Sequence, residues 1–158
     1  MGDATGSANP ALVQRDPAVA HRFRGLRVER NTVEELIRQS INEAAFEYYL
    51  PLVRVRRFVE ARLPEPIALQ CAAHAAGLER TYFSAYFRSK VGVSFTHWVH
   101  RLRVERALEL FRAHDETVTD VALLVGFQDM RSFERAFSRL TGMTPRSYRD
   151  AVRPRRRA

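Results

Sequence analysis

Between residues 126 and 149 the chain reads GFQDMRSFERAFSRLTGMTPRSYR, an array of arginines set around Phe133 and Phe137. A guanidinium presents a planar fork of donors that suits a phosphate oxyanion or the paired acceptors on the edge of a guanine. The two phenylalanines, four residues apart, fall on the inner stripe of a helix. That leaves Arg131, Ser132, Glu134, Arg135 and Ser138 pointing outward. Other chemistry has little support. There is no glycine-rich phosphate loop, nucleophile elbow or pair of carboxylates, so no catalytic residue is assigned and the chain is not read as an enzyme. His97 and His100 stand at i, i+3, a spacing that can share a metal, but no further His or Cys joins them. They are read as a solvated face, with no metal and no cofactor assigned. Cys71 is the single cysteine, which excludes an intrachain disulfide; flanked by Ala72 and Ala73, it is expected to be buried.

The elements that must carry the arginines come from a repeat. Gly77, Phe83, Phe87, Gly92 and Trp98 recur as Gly126, Phe133, Phe137, Gly142 and Tyr148, with one extra residue after the second copy's first glycine. Ahead of each glycine stands a small residue, Ala73 or Ala122, at the same distance. The repeating unit is a helix, a tight glycine turn and a second helix, followed by another glycine and an aromatic that packs back. The spacing predicts a first helix-turn-helix over about 67–90, a linker helix over about 94–113 and a second helix-turn-helix over about 117–141. Thr117 and Asp120 form a box-like helix start, and Asp129 caps the next helix. No alternating strand pattern of any length is present, and the fold is expected to be all-α.

Upstream, residues 1–31 read as a mobile tail. Residues 32–50 read as one extra amphipathic helix, capped by Thr32 and free to dock on the first unit, to self-associate or to meet a protein partner. Pro51 ends that helix or starts the next, which is expected over about 52–62 and stopped by LPEP at 63–66. At the other end RPRRR, in 153–158, is a basic tail.

Composition agrees with a globular chain that meets a polyanion. Of 158 residues, 46% are hydrophobic and 28% charged, and the net charge is +8. Residues 1–50 hold six arginines against seven acids, so the positive excess lies entirely in the 20 Lys and Arg, against 11 acids, from 51 onward. Nucleic acid and an anionic membrane face are the partner classes such a surface suits. No apolar run approaches the roughly 20 residues of a membrane span, and the N-terminus has no secretory pattern. With one cysteine, the expected compartment is the cytoplasm.

On these residues the chain resembles a known family. VTDVALLVGFQDMRSFERAFSRLTGMTPRSYR (118–149) is similar to the signature of the AraC/XylS transcription regulators, and the likeness extends over about 52–150. The resemblance implies a bacterial DNA-binding regulator that reads two successive major grooves and commonly activates by contacting RNA polymerase. Double-stranded DNA and RNA polymerase are the partners it implies. Arg135 matches the family's recognition arginine, with Arg131 and Ser132 one turn earlier; the alternative is a surface pair with Glu134 or Asp129. In the first unit the base-facing positions hold Thr81, Ser84 and Ala85, where relatives place a longer polar residue in the last position. Arg80, Arg88, Lys90, Arg139 and Arg146 are expected near phosphates, and Arg149 either joins them or pairs within its helix. Ala68 stands where a Ser or Thr cap is usual. Ala85 and Glu134 keep open a second reading, a protein-interaction adaptor that reuses the fold with weak DNA affinity.

Overall fold

Helix starts and stops written into the sequence set the architecture. A computed structural model describes residues 41–153; the expected tail at 1–31, the first part of the helix expected from 32 and the basic end beyond Arg153 lie outside the described residues. Among the described residues there are eight helices and no strand. They are α1 (Ala45–Tyr48), α2 (Leu50–Glu60), α3 (Leu69–Ala76), α4 (Arg80–Val91), α5 (Phe95–Ala113), α6 (Val118–Leu124), α7 (Met130–Thr141) and α8 (Pro145–Val152). Side-chain caps open most of them. Ser94 accepts from the His97 N–H, Thr117 from Asp120, Asp129 from Ser132 and Thr144 from Ser147. Ala68, ahead of α3, offers no such bond.

Over its described part, 41–50, the helix expected over 32–50 is not continuous. From Ile41 the chain makes a turn into the four-residue α1, and Tyr49 is extended (φ −101°, ψ 107°) before α2 begins. The reason lies in what the turn satisfies. Asn42 N–H donates to the Val91 carbonyl at 3.0 Å, and its side-chain amide to the Lys90 carbonyl at 3.1 Å. These are carbonyls that the end of α4 cannot pair within itself. Pro51, lacking an N–H, fits the first turn of α2. The stretch is thereby built into the first unit: Ala45 and Phe46 are buried, and the Phe46 ring stacks on Trp98 at 4.8 Å. Glu43 receives both Arg56 and the buried Arg101, tying the entry of the chain to α2 and α5.

Two hydrophobic cores result, and α5 contributes to both. Its first turns place Phe95, Trp98 and Val99 with Phe83, Phe87 and the inner faces of α2 and α3. Its last turns place Val104, Ala107, Leu108 and Phe111 with Phe133, Phe137 and Tyr148. Ala73 and Ala122, fully or almost fully buried, keep the paired helices of each unit close. Cys71 proves exposed rather than buried. Ala72, Ala73 and Ala76 form the inward stripe of α3, and Cys71 falls off that stripe.

Candidate nucleic-acid interface

The outward side of each unit is built by the helix that follows its glycine turn. On α4, Phe83, Phe87 and Val91 are buried, which pins the helix and turns Thr81, Ser84, Ala85 and Arg88 outward as one i, i+3, i+4, i+7 stripe. All four are exposed. The Ser84 hydroxyl donates to the Arg80 carbonyl at 3.2 Å, so it offers a ligand its acceptor side. Arg80 is exposed at the first turn. Lys90 is not brought to this stripe: it is half-buried, with its ammonium 4.7 Å from the centre of the Tyr49 ring.

On α7, burial of Phe133, Ala136 and Phe137 turns Arg131, Glu134 and Arg135 outward, all exposed. No ion pair within 4.0 Å joins Arg131 or Arg135 to an acid among the described residues, although the Arg135 charge adds to what holds Asp129 below the usual carboxylate range. Ser132 sits apart from this pair. It is half-buried, and its N–H donates to Asp129 Oδ1 at 2.8 Å. Arg139 and Arg146 are exposed on α7 and α8, whereas Arg149 pairs with Asp150 at 2.9 Å.

An acid caps both outward helices. Asp129 was legible as a cap; Glu79 was not, although its carboxylate accepts from the N–H groups of Thr81 at 2.8 Å and Tyr82 at 3.1 Å. The signal available was an acid directly before the first helical residue, and a glutamate is a less usual cap than aspartate because of its longer side chain. The Thr81 N–H bond, then that of Tyr82, holds Glu79 below the usual carboxylate range; the Ser132 N–H, then its hydroxyl, does the same for Asp129. The Thr81, Tyr82 and Ser132 amides at these helix starts are therefore already engaged.

His97 and His100 do not form a solvated face. Both are half-buried on α5, and the His100 ring lies 5.2 Å from that of Phe127 in the turn before α7. No group of three or more His, Cys, Asp or Glu positioned to hold a metal occurs among the described residues. Burial, then Arg139 and Arg101, pushes the His97 imidazole below its ordinary 6.5. Burial, then Arg103, His97 and Arg139, does the same for His100. An unfolded chain then takes up these protons first, so this contribution to stability is whole above about pH 6.5 and is lost as pH falls through the folded values. Melting temperature is expected to decline from about pH 7 to about pH 5, and less steeply in a His97→Gln/His100→Gln variant. Equal slopes in the two proteins would show that the imidazoles are not desolvated.

Two stripes on helices that follow glycine turns, braced by one 19-residue helix, define a protein built of two helix-turn-helix units. A family model described as a helix-turn-helix domain matches residues 72–151. The protein described as the probable transcriptional regulator LumQ of Photobacterium leiognathi is 32% identical over 126 residues, which is 78% of this chain and 50% of that one. Among solved structures, the DNA-binding domain of the global transcriptional factor AdpA, in complex with a target DNA, is 32% identical, with a TM-score of 0.61 over 67% of this chain and 96% of that one. A probable AraC family transcriptional regulator from Rhodopseudomonas palustris is 25% identical, with a TM-score of 0.60 over 66% and 98%. The chain belongs to the AraC/XylS family of transcription regulators. It spans half of the length of LumQ, and 39% of that of the uncharacterized HTH-type transcriptional regulator YobQ of Bacillus subtilis, to which it is 32% identical over 95 residues. No described helix is long and apolar enough to cross a membrane.

Proposed function

We propose that this protein is a sequence-specific DNA-binding transcription regulator in which α4 and α7 enter successive major grooves on one face of the duplex. The observation that carries the proposal is the pair of exposed polar stripes, each on the second helix of a helix-turn-helix unit, in a chain similar to a domain solved with its target DNA. The two stripes take different shares of the work. Arg131 and Arg135 are the base readers, able to take guanine edges bidentately, and Ser132 supports them from the flank. On α4, Thr81 and Ser84 offer short polar contacts, and Ala85 can meet a thymine methyl. Arg80, Arg88, Arg139 and Arg146 bind phosphates, fixing register while carrying no sequence information. Lys90 joins them only by leaving Tyr49. The protein acts in the cytoplasm, on the bacterial chromosome, and activates by contacting RNA polymerase; transcription reconstituted from a bound promoter tests that step.

Titration with duplex DNA at increasing salt tests the binding step. Affinity is expected to fall steeply as salt rises, through release of counterions from the phosphates. Negligible binding to any duplex at low salt would sink the proposal in favour of a protein-binding adaptor. Arg135→Ala is expected to reduce discrimination between a selected site and random DNA by about 1–3 kcal/mol. Arg88→Ala is expected to weaken both about equally. An unchanged specificity ratio in Arg135→Ala removes that arginine from base readout.

A further inference from the structure

Two half-readers on one helix recognise a composite site only if their separation and rotation are held fixed. The linker helix shared by both cores supplies part of that constraint. Beside it lies a second connection, made where the loop between α2 and α3 meets the turn between α6 and α7. Arg103, on α5, is only 8% exposed. Its Nε donates to the Leu63 carbonyl at 3.2 Å and its Nη2 to the Glu65 carbonyl at 2.8 Å, both in the loop of the first unit. The same guanidinium lies 5.7 Å from the centre of the Phe127 ring, in the turn of the second.

That turn rests directly on the loop's backbone. Gly126 has φ +97°, and a Cβ placed there would come within 2.6 Å of the Leu63 carbonyl oxygen and 2.9 Å of the Pro64 carbonyl oxygen. His100 closes the group from α5 against the Phe127 ring. The contacts span the boundary between the two cores: Leu63 packs against the first, whereas Gly126 and Phe127 belong to the turn of the second. A planar fork that holds two carbonyls of one unit and an aromatic of the other resists rotation about α5 in a way that helix packing alone does not.

We propose that Arg103, with the bare backbone of Gly126, is a lock that fixes the two units relative to each other, and that Arg103 is thereby a positioning residue for composite-site recognition. The lock itself stands on geometry; its consequence for recognition rests on the DNA-reading function proposed above.

Two measurements separate these. In a Cys71→Ser background, nitroxide labels at Ser89→Cys and Ala151→Cys report the distance between the units without DNA. A narrow distribution is expected with Arg103 present, and a broad one in Arg103→Met. Should Arg103→Met fail to fold, Arg103→Lys keeps the charge and stem but replaces the fork by a single point of donation, and an intermediate width is expected. The second measurement uses duplexes selected from random DNA, with up to three base pairs inserted between the two contacted half-sites. Three added pairs rotate one half-site by roughly 100°, and the unaltered protein is expected to lose about 100-fold or more in affinity as simultaneous engagement fails. Arg103→Met is expected to bind the unspaced duplex more weakly, yet to lose less than about tenfold on insertion. Equal label distributions in the two proteins overturn the lock whether or not any duplex is bound. A broadened distribution with an undiminished insertion penalty overturns its role in recognition.

Discussion

Phe137→Ala is expected to destabilise the unit built from α6 to α8 by about 3–5 kcal/mol, the usual cost of emptying a phenylalanine site in a packed core. Phe137 is fully buried, with its ring 5.6 Å from Phe133, 5.8 Å from Tyr148 and 6.0 Å from Phe111. No small rearrangement fills the space, because each of these neighbours is itself held by a different helix. The division into two cores makes the outcome distinctive. Trp98, the only tryptophan, lies in the other core, so its fluorescence reports unfolding of the first unit while helical circular dichroism reports both. In Phe137→Ala, the dichroism signal is expected to begin its loss at lower urea than the Trp98 signal. A loss below about 1 kcal/mol would contradict the packing described for this core. Coincident transitions would show that the units unfold as one.

Gly126→Ala is expected to cost about 3 kcal/mol or more, and Gly142→Ala only about 1–2 kcal/mol. Both glycines are left-handed, with φ +97° and +72°, so both alanines carry backbone strain. They differ in what a methyl group meets. At Gly142 nothing lies within 4 Å, whereas at Gly126 the nearest atoms are main-chain carbonyls of Leu63 and Pro64. A backbone obstacle cannot swing aside as a flexible side chain does, so the α6–α7 turn or the 63–65 loop must move. Chemical denaturation of the two variants checks this. Equal losses would show that the turn is not seated on the loop.

The stripes predicted from the repeat were largely legible because helical period fixes them. Once Phe83 and Phe87, or Phe133 and Phe137, are assigned inward, the outward positions follow within each helix. Thr81, Ser84, Ala85, Arg88, Arg131 and Arg135 are all exposed. Misreadings came where a residue answers to a distant part of the chain. Lys90 is drawn to Tyr49, and His100 lies against Phe127 instead of facing solvent. The helix expected over 32–50 gives way because Asn42 satisfies carbonyls at the end of α4, 48 residues away for its side-chain bond. Cys71 differs in kind: its helix period already placed it off the inward stripe, and its alanine neighbours were a poor guide.

By itself, then, the sequence determined an all-α chain of two like units, the caps at Thr117 and Asp129, the glycines that turn left-handed, and the arginines that the second unit displays. Each is a local property, set by spacings of a few residues and by the conformational range of single residue types. The tertiary structure alone decided what joins the two units beside the linker helix. Arg103 looks in sequence like one more basic residue on a solvated helix, yet it is buried between a loop some forty residues before it and a turn more than twenty after it. No local pattern encodes that meeting, because it depends on where α5 delivers both units in space.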